Sequence, residues 1–189
     1  MESFLSKDEL SGLGLKQYGK NVLIGRFAQL YNPESLAVGD HVRIDDFTVI
    51  NGRVTLHNHI HIAHFCGLCG GEAGITMEDF TGLSARCSVY AKSDDYTGKS
   101  MTNPTVPLAY KPGIIEKPVL IKRHSILGCS SVVLPGVTLG EGVSVGALSL
   151  CINDLEPWSI YAGIPAKRVR DRRRDILIHE KDFLVRGTG

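Results

Sequence analysis

Two adjacent carboxylates, Asp94 and Asp95, lie in a polar segment of the chain that reads SDDY. A carboxylate can take a proton from an attacking hydroxyl or amine, and general-base help of this kind contributes roughly 10²–10⁴ in rate. An aspartate with an ordinary pKa of about 3.9 is a weak base. A second carboxylate beside it raises the pKa of one member of the pair. The pair is therefore a candidate for acid–base chemistry.

A second group of chemically capable residues precedes this pair. Four histidines fall within the stretch LHNHIHIAHFCGLC: His57, His59, His61 and His64. Histidine titrates near neutral pH and is a common metal ligand, and Cys66 and Cys69 follow with the spacing CxxC. A structural zinc site usually needs four ligands. Because no second CxxC is present, metal or redox use of the cysteine pair is disfavoured.

Length and composition limit the possible classes. The chain has 189 residues, 43% of them hydrophobic, and a formal net charge of +1, which predicts one soluble domain with its own core. This balance does not indicate a nucleic-acid or membrane partner, and no apolar run of about 18 residues predicts a membrane span. The N-terminus does not resemble a secretory signal. Five scattered cysteines indicate a reduced, cytoplasmic protein.

The elements that must hold these residues follow a six-residue period. Residues 127–150 divide into LGCSSV, VLPGVT, LGEGVS and VGALSL, each beginning with an aliphatic residue. Aliphatic starts recur at the same spacing over residues 38–68 and, after a three-residue slip, over residues 77–89. This period is neither that of a helix nor that of simple strand alternation. It predicts short strands joined by corners, with three sixes forming one triangular turn of a solenoid.

If three six-residue units form one turn of 18 residues, residues 18 positions apart stack on one another. This stacking predicts three walls of inward-facing residues. The predicted walls are Val38, Leu56, Met77, Ile115 and Val133; Ile44, Ile62, Leu83, Ile121 and Leu139; and Ile50, Leu68, Val89, Leu127 and Val145. The six-residue period is interrupted after Val89 and resumes at Ile115. The same register can hold on both sides only if residues 95–114 loop out at one corner. A long polar loop on a rigid stack is a common place for a binding site.

This repeat resembles that of the hexapeptide-repeat acyltransferases, whose fold is a left-handed parallel β-helix. The resemblance covers about residues 20–170. It implies an all-β solenoid of five or more triangular coils, with one loop excursion and a short C-terminal helix. We expect a cap segment at 1–19, the β-helix domain at 20–165 and a basic tail at 166–189. A helix start at Ser6, with two acidic residues after it, fits the cap.

The segment AGIPAKRVR, residues 162–170, resembles the GxPA[KR] segment that lines the coenzyme A tunnel in this family. The resemblance implies acetyl-CoA as the acyl donor. Lysine and arginine can bind its phosphates, and the small residues after Val145 resemble those that contact the pantetheine arm. The expected coenzyme-binding residues are Gly146, Ala147, Ser149, Gly163, Pro165, Lys167, Arg168 and Arg170.

The acceptor site departs from the family pattern in one respect. Sugar acetyltransferases of the galactoside and maltose type, which this chain resembles, have a catalytic histidine near the start of the excursion. No histidine lies between Asp94 and Ile115, and Asp94 stands at the matching place. The resemblance also implies a homotrimer with active sites between subunits. A neighbour's His64 or His61 could then join the aspartate pair as a catalytic residue.

We therefore predict an acetyl-CoA-dependent acetyltransferase that acts on an amino or hydroxyl group of a sugar. Ser93, Tyr96 and Asn103 are expected to contact this acceptor. The segments SDDY and TNPTVP also resemble acyltransferases of polysaccharide and O-antigen clusters, which favours a nucleotide-activated or glycan-precursor sugar. An aspartate in place of histidine favours an amino group. Two alternatives stay open: a metal-dependent β-helix protein similar to γ-carbonic anhydrases, although no metal is expected, and a non-catalytic scaffold.

Overall fold

The computed structural model describes residues 3–186. Residues 1 and 2 of the predicted cap and residues 187–189 of the predicted tail lie outside the described residues. The chain forms a parallel β-solenoid of about seven turns. In each turn, short strands follow one another around a triangular prism and are joined by tight corners.

The strands form three walls. The first wall contains β1 Gln17–Tyr18, β4 Leu36–Val38, the second halves of β6 Val49–Leu56 and β8 Gly67–Met77, β13 Val119–Ile121 and β16 Thr138–Leu139. The second wall contains β2 Leu23–Ile24, β5 Arg43–Ile44, β7 His61–Ile62, β9 Gly82–Leu83, β14 Ile126–Leu127, β17 Ser144–Val145 and β19 Ser159–Ala162. The third wall contains β3 Gln29–Tyr31, the first halves of β6 and β8, β10 Ser88–Tyr90, β15 Val132–Val133 and β18 Leu150–Cys151.

The remaining elements lie outside the walls. They are α1 Lys7–Ser11, the 3₁₀ helices Pro33–Ser35 and Leu108–Tyr110, β11 Lys92–Ser93, β12 Ile115–Glu116, β20 Lys167–Asp171 and α2 Ile176–Arg186.

One residue of each strand points into the prism and stacks on its counterpart in the next coil. In the second wall this column contains Ile44, Ile62, Leu83, Leu127 and Val145, each no more than 2% exposed. Burying a large aliphatic side chain contributes about 1.5–3 kcal/mol, and the parallel ladders pair backbone groups between coils. The predicted solenoid is confirmed.

The predicted wall assignment is correct for the residues that precede the excursion and wrong for those that follow it. Ile121 pairs in register with Met77 in the first wall, and Leu127 pairs with Leu83 in the second. Every inward residue after the excursion therefore lies one wall away from its predicted place. A register shift by one six-residue unit moves each strand to the next wall but keeps its aliphatic residue facing inward. The period alone therefore cannot reveal the shift.

The excursion spans residues 91–118, which is longer than the predicted 95–114. At its base β11 and β12 pair antiparallel, with Ser93 opposite Ile115. Ile115 is 45% exposed and belongs to no wall. The excursion leaves from the corner between the third and first walls, which also contains residues 52–53 and 70–74 and is called the excursion corner below.

The corner between the first and second walls stacks rings and is called the aromatic corner below. His41, His59, Phe80, His124 and Trp158 occupy equivalent places there with φ between 55° and 61°. Successive ring centroids from His41 to His124 lie 4.7, 4.8 and 5.3 Å apart. Left-handed backbone costs a non-glycine residue roughly 1–2 kcal/mol, and ring stacking offsets part of this cost. Gly142 interrupts the series, since a Cβ there would lie 2.5 Å from the Trp158 ring.

The two ends of the solenoid are covered differently. At the N-terminal end α1 begins as predicted, because Ser6 and Glu9 form a reciprocal capping box, and Leu10 packs into the core. At the C-terminal end β20 runs antiparallel to β19, and α2 lies on the outside with no buried residue. Neither described helix is long and apolar enough to cross a membrane.

Candidate active site

The corner between the second and third walls carries small residues in five successive coils and is called the small-residue corner below. Its members directly follow the inward column: Ala63, Ser84, Gly128, Gly146 and Ala162. The next residue in four of these coils has a backbone N–H without a protein partner among residues 3–186: His64, Ala85, Cys129 and Ala147. Four coil spacings make this a groove of about 19 Å. A long, narrow ligand with amide and carbonyl groups fits a groove lined with free donors.

Three predicted coenzyme residues meet at the end of this groove. Ser149 Oγ donates to the Gly146 carbonyl at 2.7 Å and accepts the Gly163 N–H at 3.0 Å. Ser149 is only 2% exposed, which leaves it little surface for the predicted contact with the coenzyme. Its hydroxyl instead ties the Gly146 turn to Gly163, whose φ of 101° favours glycine. Gly146 and Ala147 lie on the groove itself.

The groove leads into the basic strand β20. Lys167 and Arg170 are exposed, and within residues 3–186 neither side chain has a hydrogen-bond or ion-pair partner. Arg168 forms an ion pair with Asp171 and donates to Ser159 Oγ at 3.1 Å. Lys167 and Arg170 are therefore the better candidates for phosphate binding, while Arg168 is partly used inside the β19–β20 hairpin.

A cavity of about 340 Å³ opens beside Ser84, and the predicted residues His61 and His64 line it too. His61 Nε2 lies 2.8 Å from Asp45 Oδ2, and Arg43 Nε donates to Asp45 Oδ1 at 2.6 Å. His64 is exposed. The structure thus brings both histidines to Ser84, a residue that the sequence analysis missed.

Asp94 lies half-buried at the start of the excursion. Its Oδ2 accepts the Asn103 N–H at 2.8 Å, and its backbone carbonyl accepts the Ser93 hydroxyl at 3.1 Å. Within the described part of the chain, Asp94 Oδ1 has no protein partner. The carboxylate is therefore held by one oxygen and offers the other to a ligand.

The three predicted acceptor contacts differ in their surroundings. Ser93 and Asn103 both bond to Asp94, and the Asn103 side-chain oxygen already accepts the Thr105 hydroxyl at 2.6 Å. The Asn103 N–H holds the carboxylate of Asp94, whereas the Ser93 hydroxyl bonds to the Asp94 backbone carbonyl. The Ser93 hydroxyl and the Asn103 side-chain oxygen are thus already engaged, which leaves them less free for the acceptor. Tyr96 is 92% exposed and remains a candidate contact.

Asp95 has a structural task, which makes it a weaker candidate base than Asp94. Its Oδ1 accepts the Thr97 hydroxyl and N–H, and its Oδ2 accepts the Lys99 N–H and the Ser100 N–H and hydroxyl. These bonds, those from the Thr97 hydroxyl and N–H first, lower the pKa of Asp95 to about 2. A carboxylate with both oxygens occupied and a lowered pKa is a poor proton acceptor.

Replacement of Asp95 by asparagine is expected to loosen residues 96–100, because an amide nitrogen replaces one of the two accepting oxygens. Limited proteolysis at pH 7 should cut the excursion faster in this variant than in the Asp94→Asn control. In the unchanged protein the folded-state pKa of Asp95 lies below its ordinary value of about 3.9, so its bonds hold the loop above about pH 4. They are lost as the pH falls through about 2. Equal cleavage rates in both variants would contradict this assignment.

Asp94 and Ser84 lie at different corners of the same chain. Ser84 belongs to the small-residue corner and Asp94 to the excursion corner, with the third-wall strand β10 between them in sequence. In the predicted walls the turn after Val145 shared a corner with the excursion. The corrected register moves this turn to the corner of Ser84.

A second cavity, of about 490 Å³, lies at the excursion corner below the base of the loop. Its lining is polar and includes Asn32, Asn51, Arg53, Glu72 and Lys92. Arg53 lies 3.5 Å from Glu72, and Lys92 lies 3.5 Å from Glu116. The cavity therefore combines amide groups, two cations and the carboxylates of Glu34 and Glu72, a lining suited to a polar ligand.

The residues that could bind a metal do not converge. Within residues 3–186, no three His, Cys, Asp or Glu side chains lie so that they could hold an ion. Cys66 is buried, and its thiol donates to the Ser84 carbonyl at 3.2 Å. His59 belongs to the aromatic corner.

Comparison with known proteins gives close relatives over the whole chain. The dTDP-4-amino-4,6-dideoxy-D-glucose acyltransferase of Escherichia coli is 38% identical over 190 residues, which cover 99% of this chain and 98% of the relative. AntD, an N-acyltransferase from Bacillus cereus solved in complex with dTDP and 3-hydroxybutyryl-CoA, is 43% identical. It matches with a TM-score of 0.96 over 98% of both chains. No family model matches the chain.

Variants of AntD have also been solved. Its S84C variant, in complex with dTDP-4-amino-4,6-dideoxyglucose and coenzyme A, is 42% identical to this chain, with a TM-score of 0.96 over 99% of this chain and 100% of AntD. Other AntD structures carry the D94N or D94A change. This chain has serine at 84 and aspartate at 94.

Proposed function

Because this chain belongs to the hexapeptide-repeat sugar N-acyltransferases, the family that includes the dTDP-4-amino-4,6-dideoxy-D-glucose acyltransferase of Escherichia coli, we propose that its acceptor is a dTDP-linked 4-amino-4,6-dideoxy sugar. The protein is an enzyme that uses an acyl-CoA to acylate a sugar. The comparisons support neither the carbonic anhydrase-like alternative nor the scaffold. The full-length match to this acyltransferase carries the proposal for the acceptor.

The donor half of the proposed site is the small-residue corner. The phosphates of the acyl-CoA would bind near Lys167 and Arg170, and the pantetheine arm would run along the groove towards Ser84. The unpaired N–H groups of the groove can donate to its amide carbonyls and to the thioester oxygen as that oxygen gains negative charge. The candidate for this last donor is the Ala85 N–H, directly after Ser84, whereas the Ala147 N–H lies two coils closer to β20 and would bond to the pantetheine arm.

The acceptor half is the excursion corner of a neighbouring subunit in a homotrimer. Asp94 and Ser84 lie at different corners of one chain, so packing the excursion of one copy against the small-residue corner of another would bring them together. The cavity beside Lys92 would hold the dTDP part of the acceptor, with Arg53 and Lys92 facing its diphosphate. His64 and His61 of the donor subunit would then border the same site.

The proposed reaction transfers one acyl group to one amine. The amine nitrogen attacks the thioester carbonyl carbon, an N–C bond forms and the C–S bond breaks. Asp94 holds the amine through its free oxygen. The proton lost from nitrogen passes to the Asp94 carboxylate or to the departing thiolate, and a neutral amine needs less general-base help than a hydroxyl would.

We expect the purified protein to release free thiol from acetyl-CoA only when dTDP-4-amino-4,6-dideoxyglucose is present. Mass spectrometry should show the acyl group on the sugar, because the amine is the nucleophile. The matched control is the dTDP sugar with a hydroxyl group in place of the amine, which should react much more slowly. Equal rates with both sugars would overturn the proposed N-acylation.

Ligand-dependent melting tests the donor independently of the acceptor. At about 100 times its Kd, acetyl-CoA should stabilise the native state by about 2.7 kcal/mol. A shift with zinc and none with acetyl-CoA would overturn the proposed donor site.

A further inference from the structure

The strand that carries the candidate phosphate-binding cations has little support of its own. All five residues of β20 are exposed, and its one sheet neighbour is β19. Its beginning is tied to the solenoid through Leu150, which donates to the Gly163 carbonyl at 3.0 Å and accepts the Ala166 N–H at 2.8 Å. The C-terminal end of β20 is held by residues that follow it in the chain.

Arg172, directly after β20, is clamped to the solenoid. Its N–H donates to the Trp158 carbonyl at 2.8 Å. Its guanidinium Nη1 lies 2.7, 3.1 and 3.3 Å from the carbonyl oxygens of His124, Gly142 and Val143. One arginine thus ties the end of β20 to three successive coils of the aromatic corner.

Helix α2 extends this attachment along the aromatic corner. Glu180 forms an ion pair with Arg123, and its Oε2 lies at hydrogen-bond distance, 3.0 Å, from Nε2 of His124. Further along the helix, the Phe183 ring packs edge-on against His59, with 5.2 Å between centroids, and against Phe80 at 6.0 Å.

The dimensions of the helix and the corner match. The coils from Trp158 back to His59 are four strand spacings apart, about 19 Å. The 11 residues of α2 span about 16 Å. Arg174, just before the helix, lies over the Trp158 ring at 5.3 Å, and Phe183 lies at His59. The helix therefore runs back along the aromatic corner from the last coil to an early one.

We propose that α2 is a strap that holds β20 in position for the phosphates of the acyl-CoA, with Glu180 and Phe183 as positioning residues. This inference rests on the proposed donor site. Both residues lie away from the groove and act through β20, so they affect only the nucleotide end of the donor. Pantetheine alone reaches the groove without touching β20.

The test compares two ligands that differ only in the nucleotide part. Calorimetry should show that Phe183→Ala and Glu180→Gln each weaken coenzyme A binding about fivefold to tenfold, because a displaced β20 loses part of its charge-assisted bonds. Binding of pantetheine should be unchanged. In turnover, KM for the acyl-CoA should rise while kcat stays the same. Val185→Ala, which changes a side chain 86% exposed on the same helix, is the matched control.

Two results would overturn the strap. One is equal weakening of both ligands, which would indicate a general loss of structure, and the other is unchanged affinity for coenzyme A in both variants. A double variant, Phe183→Ala with Lys167→Ala, should bind coenzyme A no more weakly than the sum of the single effects predicts. An unchanged protein that binds no coenzyme A would instead contradict the proposed donor site, so the two failures can be told apart.

Discussion

Replacement of Asp94 by asparagine is expected to lower kcat/KM by about 10²-fold or more, while the Kd for coenzyme A stays unchanged. Asparagine has nearly the same shape, and its side-chain oxygen can still accept the Asn103 N–H that Asp94 Oδ2 accepts at 2.8 Å. The excursion should therefore keep its structure. What is lost is the negative charge of the free oxygen, which would hold the amine or accept its proton.

Steady-state kinetics separates the two possible tasks of this carboxylate. If Asp94 takes the proton, the loss in the variant is mainly in kcat. If Asp94 only holds the amine while the thiolate takes the proton, the loss is mainly in KM for the sugar. Unchanged turnover and unchanged KM would remove Asp94 from the mechanism. Leu108→Ala, which changes a side chain 70% exposed on the same excursion, is a control that keeps the carboxylate.

Replacement of Leu83 by alanine is expected to cost about 2–5 kcal/mol of stability. Leu83 is 1% exposed and stacks in register between Ile62 and Leu127. A cavity at this level interrupts the inward column, and rigid coils above and below can collapse into it only in part. The midpoint of thermal unfolding should fall by roughly 4–20 °C, given about 2–4 °C per kcal/mol for a chain of this size.

The control for Leu83 is Leu108→Ala. Leu108 has the same chemistry but is 70% exposed in the excursion, so its replacement should change stability by less than about 0.5 kcal/mol. A Leu83→Ala protein that melts within 1 °C or so of the unchanged protein would contradict the stacked core, since about 1 kcal/mol already shifts the midpoint by more.

The solenoid was predictable because its geometry requires the six-residue period that the sequence shows. An aliphatic residue every six positions can bury all its members only if the chain turns a corner between them. The helix cap at Ser6 was predictable for the same kind of reason, since Ser6 and Glu9 can satisfy each other's backbone donors.

The wall assignment after the excursion was not predictable from the period. The prism has three equivalent inner faces, so moving residues 119–151 by one face leaves every aliphatic residue buried. Ile115 fits the period by coincidence, six residues before Ile121, although it is 45% exposed. The backbone pairings of Ile121 with Met77 and of Leu127 with Leu83 distinguish the two registers.

The candidate site was predicted in part. Asp94, the Gly146 turn and the basic segment were found from the motifs that resemble the family, and their roles stay predictions. Ser84 was missed because its neighbours in space come from other coils, and the wrong register hid them. The five bonds that make Asp95 a weaker candidate base come from the loop conformation, which no spacing rule predicts.

The aromatic corner left a signal that went unused. The residue three positions before the second-wall starts Ile44, Ile62, Leu83 and Leu127 is histidine or phenylalanine each time. Reading the outward positions with the same period as the inward ones would have grouped His41, His59, Phe80 and His124. The histidine cluster would then have divided into corner residues and site residues.

The two halves of the site differ in how freely they can change. In the small-residue corner two coils touch: a Cβ at Gly128 would lie 2.5 Å from the Ala147 backbone nitrogen, so any side chain at Gly128 disturbs the stack itself. The excursion, by contrast, enters and leaves through one short ladder and can vary in length without moving a single wall. Changes of length or sequence within the excursion are therefore expected to leave the coil spacing intact, whereas a side chain added at Gly128 is not.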